Sequence, residues 1–169
     1  RVGGAVGECE RRLVYGEGRG WGDRRAGGRP YDDWPALEVV AKAMGGVMGV
    51  PGPGPQTPLK VGPGVGDMVP AMFATIGILS AVHHAERTGE GQFVDVAMYD
   101  GMLALCERVI YQYSYGGVIS GPEGNAHPIF TPFGLVPAKD GWVGSAVSLG
   151  SFREPLAAVS EPCAAPDER

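Results

Sequence analysis

From Gly45 to Gly66 the chain reads G-G-V-M-G-V-P-G-P-G-P-Q-T-P-L-K-V-G-P-G-V-G. No helix or central strand can run through it. Proline fixes φ and lacks an N–H, and glycine carries a high entropic cost in regular structure. The segment therefore divides whatever forms before it from whatever forms after it. Structureless loops of this length are uncommon in compact domains and are often functional. Across the chain, Gly 29 and Pro 15 in 169 residues approach low-complexity composition, but 44% hydrophobic content supports a packed core. The length suits one domain.

Charge and cysteine narrow the class. A formal net charge of -5 lacks the broad basic footprint of a nucleic-acid binder. Residues 1 to 30 hold seven Arg against four acids, without aromatic interleaving or periodicity, and read as a poorly ordered lead segment. Cys9, Cys106 and Cys163 are far apart with no CxxC pair. Neither a disulfide framework nor a zinc site is expected, and a reducing, cytoplasmic compartment is. The apolar run Met68 to Val82 spans fifteen residues, broken by Pro70, Thr75, Gly77 and Ser80. A bilayer span needs about 20. The run is expected to be a buried core helix, with no membrane partner. Arg1-Val2-Gly3-Gly4 has no apolar signal-peptide region.

Local patterns place the elements. Arg11 to Tyr15 reads as a short strand and Gly16 to Pro30 as loop. Asp32 or Asp33 is placed to cap a helix starting near Trp34-Pro35. Leu37, Val40, Ala41 and Met44 give that helix its inward stripe, and Gly45-Gly46 ends it. After the loop, Asp67 stands at or beside the start of a long helix from Met68 to about Arg87. Thr88-Gly89-Glu90-Gly91 is a turn, and Gln92 to Met98 alternates as a strand. Tyr99 to about Tyr115 reads as one helix with Met102, Leu105, Val109, Ile110 and Tyr113 on one stripe. Lys139-Asp140-Gly141 joins two strands, Phe133–Val136 and Trp142–Val147, in a hairpin. The tail from Ser148 shows no element. Helices alternating with strands indicate an α/β fold.

Residues 66 to 101 carry the most specific pattern: Gly66-Asp67, then Glu86-Arg87-Thr88-Gly89-Glu90-Gly91-Gln92, then Val94-Asp95-Val96. Gly20-Trp21-Gly22, His127-Pro128, Pro132-Phe133-Gly134 and Asp140-Gly141-Trp142-Val143 follow in compatible order. In these features the stretch from Arg12 to about Val147 resembles the class III coenzyme A transferases, the family that also holds the 2-methylacyl-CoA racemases. Residues 1 to 10 and 148 to 169 fall outside the match. The resemblance implies a partial fold. Residues 31 to 120 would be a piece of the large Rossmann-like domain, and 121 to 169 the start of the small domain with an unmatched tail. It also implies acyl-CoA and carboxylic acid substrates, no permanently bound cofactor and an interlocked homodimer. The family's coenzyme A half and closing helix are missing from this match. An inactive fragment is therefore a rival reading. Without that half, Met72, Phe73, Ile76 and Leu79 would lie exposed.

Asp67 is the foremost candidate residue. A carboxylate behind a Gly-rich loop, flanked by small residues, is reachable and can act as a covalent nucleophile on a thioester. The resemblance implies that role, through an aspartyl-CoA thioester. A plain N-cap is the rival reading. Gly62, Gly64 and Gly66 would let backbone amides approach an oxyanion. Glu38 matches a family position that lines the site; a solvated helix-face charge is the alternative. Pro35, Ala36 and Leu37 match a segment touching the CoA thioester arm. Racemases need a second acid/base, a His near Glu38, and none stands there, which favours transferase. His83 and His84 diverge by about 100° on their helix and form no shared metal face. His127, Asp95, Asp100 and Cys106 read as structural. Gly62-x-Gly64-x-Gly66 lacks the Lys-Ser/Thr of a nucleotide loop.

Overall fold

The computed structural model describes residues 10–146 except Arg29, Pro55 and Thr131. Cys9, Cys163, Val147 and the tail from Ser148 lie outside the described residues. Strand β1 (Tyr15–Arg19) lies parallel to β2 (Phe93–Ala97), with Tyr15 opposite Phe93 and Arg19 opposite Ala97. β1 thus starts where the sequence pattern expected its strand to end. The stretch read as loop supplies the strand instead. Its glycines are there for packing. A Cβ on Gly16 would lie 2.6 Å from the Ile78 Cδ1 of the long helix. The same closeness recurs at Gly77, whose missing Cβ would fall 2.8 Å from Val94. Glycine in strand and helix lets a facing side chain seat against bare backbone here.

Helix α1 (Glu38–Met44) begins later than expected. Its N-cap is Leu37 and makes no side-chain cap bond, so neither Asp32 nor Asp33 caps it. Pro35 biases Trp34 away from helical geometry, and the Trp34 carbonyl accepts instead from the Trp21 indole at 3.0 Å. Gly45 closes α1 as its C-cap. The inward face also differs from the stripe expected. Ala41 and Lys42 are buried, while Leu37 and Met44 are exposed. Small inward residues let α1 approach closely; a Cβ on Gly45 would lie 2.4 Å from the Met102 Cβ.

Helix α2 (Val65–Thr88) packs on α1, β1 and β2. Pro70 lies within it, buried against Gly101. The C-cap Gly89 is left-handed, at φ 76. The single helix expected after β2 is two: α3 (Met98–Leu105) and α4 (Glu107–Gly116). They meet at Cys106, which is buried and leaves helical geometry at φ -98, ψ 20. Met102 of α3 is completely buried, wedged between α1 and α2. β3 (Phe133–Ala138) and β4 (Gly141–Ala146) form the expected antiparallel hairpin. In the turn before it, the His127 Nδ1 accepts from the Ile129 and Phe130 amides, each at 3.1 Å.

The expectation that α2 is a buried core helix fails on one side. Met68, Met72, Ile76 and Leu79 form a stripe that is about two-thirds exposed, with Ile76 at 60% and Leu79 at 64%. Among the described residues β1 and β2 lie against the helix as strands, and no described element covers the stripe. Met72, Phe73, Ile76 and Leu79, the residues expected to lie open, are all exposed. The helix also outruns the fifteen-residue apolar run. Over 24 residues, it is long and apolar enough to cross a bilayer by length and composition alone. That removes the length argument against a membrane; its contacts in this structure are with α1, α3 and the two strands.

Met102→Ala is expected to reduce the unfolding free energy by about 2–5 kcal/mol, read from urea denaturation followed by circular dichroism. Leu79→Gln should change it by no more than about 0.5 kcal/mol. Equal losses would mean that the stripe is packed rather than open.

Candidate active site

The long loop delivers its chain into α2 through a short, tightly bonded turn. Val61 holds φ 60, the one positive φ outside glycine among the described residues. A β-branched residue in that region is an outlier. Gly64 is the N-cap of α2, and its carbonyl accepts from the Asp67 and Met68 amides at 3.2 and 3.0 Å. The Val65 amide donates to Pro63 at 2.9 Å. Asp67 therefore occupies the first turn of α2, and its residue is exposed. The negative side chain stands at the positive end of a 24-residue helix, a favourable placement.

Glu38, the first residue of α1, is brought beside this turn. Its Oε1 accepts from the Gly66 amide at 3.4 Å, a long bond. The backbones nearly touch, since a Cβ on Gly66 would sit 2.6 Å from the Glu38 carbonyl oxygen. The Glu38 carboxylate also pairs with the Lys42 Nζ at 2.7 Å. That hydrogen bond, reinforced by the Gly66 amide, holds the Glu38 carboxyl below the usual carboxylate range against the opposing effect of burial. Lys42 is fully buried, and its Nζ also donates to the Val61 carbonyl at 2.8 Å and the Pro63 carbonyl at 3.4 Å. Sequence reasoning missed Lys42. The i,i+4 spacing to Glu38 was the available signal, but lysine is so rarely buried that the pattern reads as surface.

The remaining candidates separate. Pro35 and Leu37 are exposed and Ala36 is half-buried. Ala36 packs so closely on Gly20 that a Cβ there would overlap it. Gly62 and Gly64 face open space. Gly66 does not: it is buried and its N–H is already given to Glu38. The Gly66 amide, expected to approach an oxyanion, thus points at Glu38 Oε1 in this structure. His83 and His84 lie near the far end of α2 from Asp67. Asp95 on β2 accepts from the Asp23 amide at 2.7 Å, and Asp100 lies in the first turn of α3. Among the described residues no three His, Cys, Asp or Glu side chains cluster to hold a metal.

The model of CoA-transferase family III matches residues 4–169. The chain belongs to CoA-transferase family III. The match takes in most of both end segments that the motifs had left outside it. The chain is 50% identical over 131 residues to a succinyl-CoA:mesaconate CoA-transferase of Haloarcula hispanica, covering 78% of this chain and 33% of that protein. It is 31% identical over 159 residues to a succinate–glutarate CoA-transferase of Agrobacterium fabrum, covering 94% of this chain and 39% of that one. Among solved structures, a CAIB/BAIF family protein from Brucella suis superposes with TM-score 0.75 at 26% identity, over 92% of this chain and 40% of that chain. The α/β architecture is thus a partial family fold, and the chain spans about a third of the length of the curated relatives matched at 50% identity.

Acid should undo part of this arrangement. Asp23 is held well below the usual carboxylate range, first by hydrogen bonds from the Arg25 guanidinium and then by the Arg25 amide. Glu38 is lowered by Lys42. Both groups release protons more readily folded than unfolded. Their contribution to stability is present above about pH 4 and lost as the pH falls through the folded values. Thermal midpoints are expected to drop below about pH 4, and Glu38→Gln should flatten that decline. An unchanged profile in the variant would separate Glu38 from acid stability.

Proposed function

We propose that the protein containing this chain transfers coenzyme A between carboxylic acids, with Asp67 as the covalent nucleophile. The observation that carries this is an exposed carboxylate in the first turn of α2, beside the open Gly62 and Gly64 backbone, with Glu38 joined to the same turn through Gly66. The Asp67 carboxylate attacks the thioester carbonyl of the donor acyl-CoA. The C–S bond breaks, the CoA thiolate leaves and a mixed anhydride remains. The thiolate returns to the Asp67 acyl carbon and releases the donor acid, leaving an aspartyl-CoA thioester. The acceptor carboxylate attacks that thioester and again frees the thiolate. Its attack on the acceptor acyl carbon completes the new CoA ester and restores Asp67.

The matched relatives bear names with dicarboxylic acids in them, mesaconate and glutarate among them. Dicarboxylates are accordingly the first substrates to try. The protein would be incubated with succinyl-CoA and mesaconate, and new CoA esters followed by mass spectrometry. Asp67→Ala is expected to lower transfer by about 10³-fold or more. Hydroxylamine quenching should leave a hydroxamate on the Asp67 peptide. Full transfer by Asp67→Ala would overturn the reading.

A further inference from the structure

We propose that Lys42 is a positioning residue for the nucleophile turn. Its buried ammonium fastens Val61, Pro63 and Glu38 together and so sets where Asp67 stands. The inference rests on reading Asp67 as the nucleophile. An ammonium carries three donors. Lys42 has three acceptors to match: Glu38 Oε1 at 2.7 Å, the Val61 carbonyl at 2.8 Å and the Pro63 carbonyl at 3.4 Å. Two of these are backbone atoms of the turn that ends at Gly64. The third belongs to the side chain that also receives the Gly66 amide. One cation therefore ties together both sides of the turn, with none of its surface in water.

Val61 shows why such a tie is needed. At φ 60 a valine stays only where its surroundings over-determine it. Packing on its side chain is partial, since Val61 is half-buried. Val61 lines an open cavity of about 310 Å³, shared with Val47, Val50, Leu105 and Cys106. The restraint the structure does contain is the Lys42 ammonium on the Val61 carbonyl. Removing it leaves the turn free to relax toward an ordinary backbone geometry, and it leaves Glu38 with the Gly66 amide and the Lys60 charge but no hydrogen-bonded cation. Glu38 would then be a less compensated negative charge beside a site that must admit anionic acids, which like-charge repulsion opposes.

The test compares Lys42→Met, close in length and without charge, with the unaltered protein. Backbone hydrogen exchange read by mass spectrometry is expected to quicken about tenfold to a hundredfold in residues 61–66, with residues 72–88 of α2 unchanged. Coenzyme A transfer should fall about 100-fold through kcat. Exchange that stays slow in 61–66, or that quickens equally along α2, overturns the inference, because Lys42 would then have no effect or a global one. Where Lys42→Met gives no soluble protein, Lys42→Gln is read in the same way. Asp67→Ala serves as the control. Should it retain transfer, the nucleophile reading fails, while the exchange pattern still decides whether Lys42 holds the turn.

Discussion

The architecture turns on a near-contact between two helix starts. Glu38 opens α1, Gly66 lies in the first turn of α2, and their backbones approach to the point where no Cβ fits. A close approach of two polar backbones is tolerable only if their groups are satisfied. Here the Gly66 amide is taken by the Glu38 side chain, and that side chain is neutralised by Lys42. A buried ion pair gives up much of its Coulombic gain to desolvation. Its value here is therefore geometric. It fixes which residues of the Gly/Pro segment face α1 and which face outward.

The rest of the packing follows the same economy of size. The fully buried side chains of the core are few, and alanine and glycine do most of the close contact: Ala41, Ala81, Ala85 and Ala97 inside, Gly16 and Gly77 where α2 presses on the strands. Larger apolar residues of α2 lie on the opposite face, in the open. A helix apolar nearly all round is ordinarily an inside helix. Two strands on one side cannot make it so.

Much of this was legible from residue order, and the failures have physical causes. The long helix, the second strand, the hairpin at Lys139-Asp140 and the Asp67 position follow from local periodicity and turn chemistry, which act over a few residues. β1 was misplaced because Gly16 and Gly18 look like loop formers, and only pairing with β2, with Ile78 of the long helix against Gly16, makes the stretch strand. The stripe of α1 was assigned to Leu37, Val40, Ala41 and Met44 because apolar residues are expected inside; Ala41 is buried there, Leu37 and Met44 are not. Tertiary contact chose the small face instead, with Lys42 on it. The break at Cys106 left no periodic trace, since both halves keep apolar residues at helical spacing. Glu38 was identified through family resemblance, while its cationic partner, four residues on, passed for surface.

Pro70 gives the long helix an unusual tip. Without an N–H it cannot return a bond to the carbonyl of Gly66, four residues earlier. The rung that would lash the opening turn to the shaft is missing just behind Asp67. At that point Pro70 meets Gly101 of the neighbouring helix, too closely for a Cβ between them. The opening turn consequently leans on α1, through Glu38 and Lys42, for what the ladder does not supply.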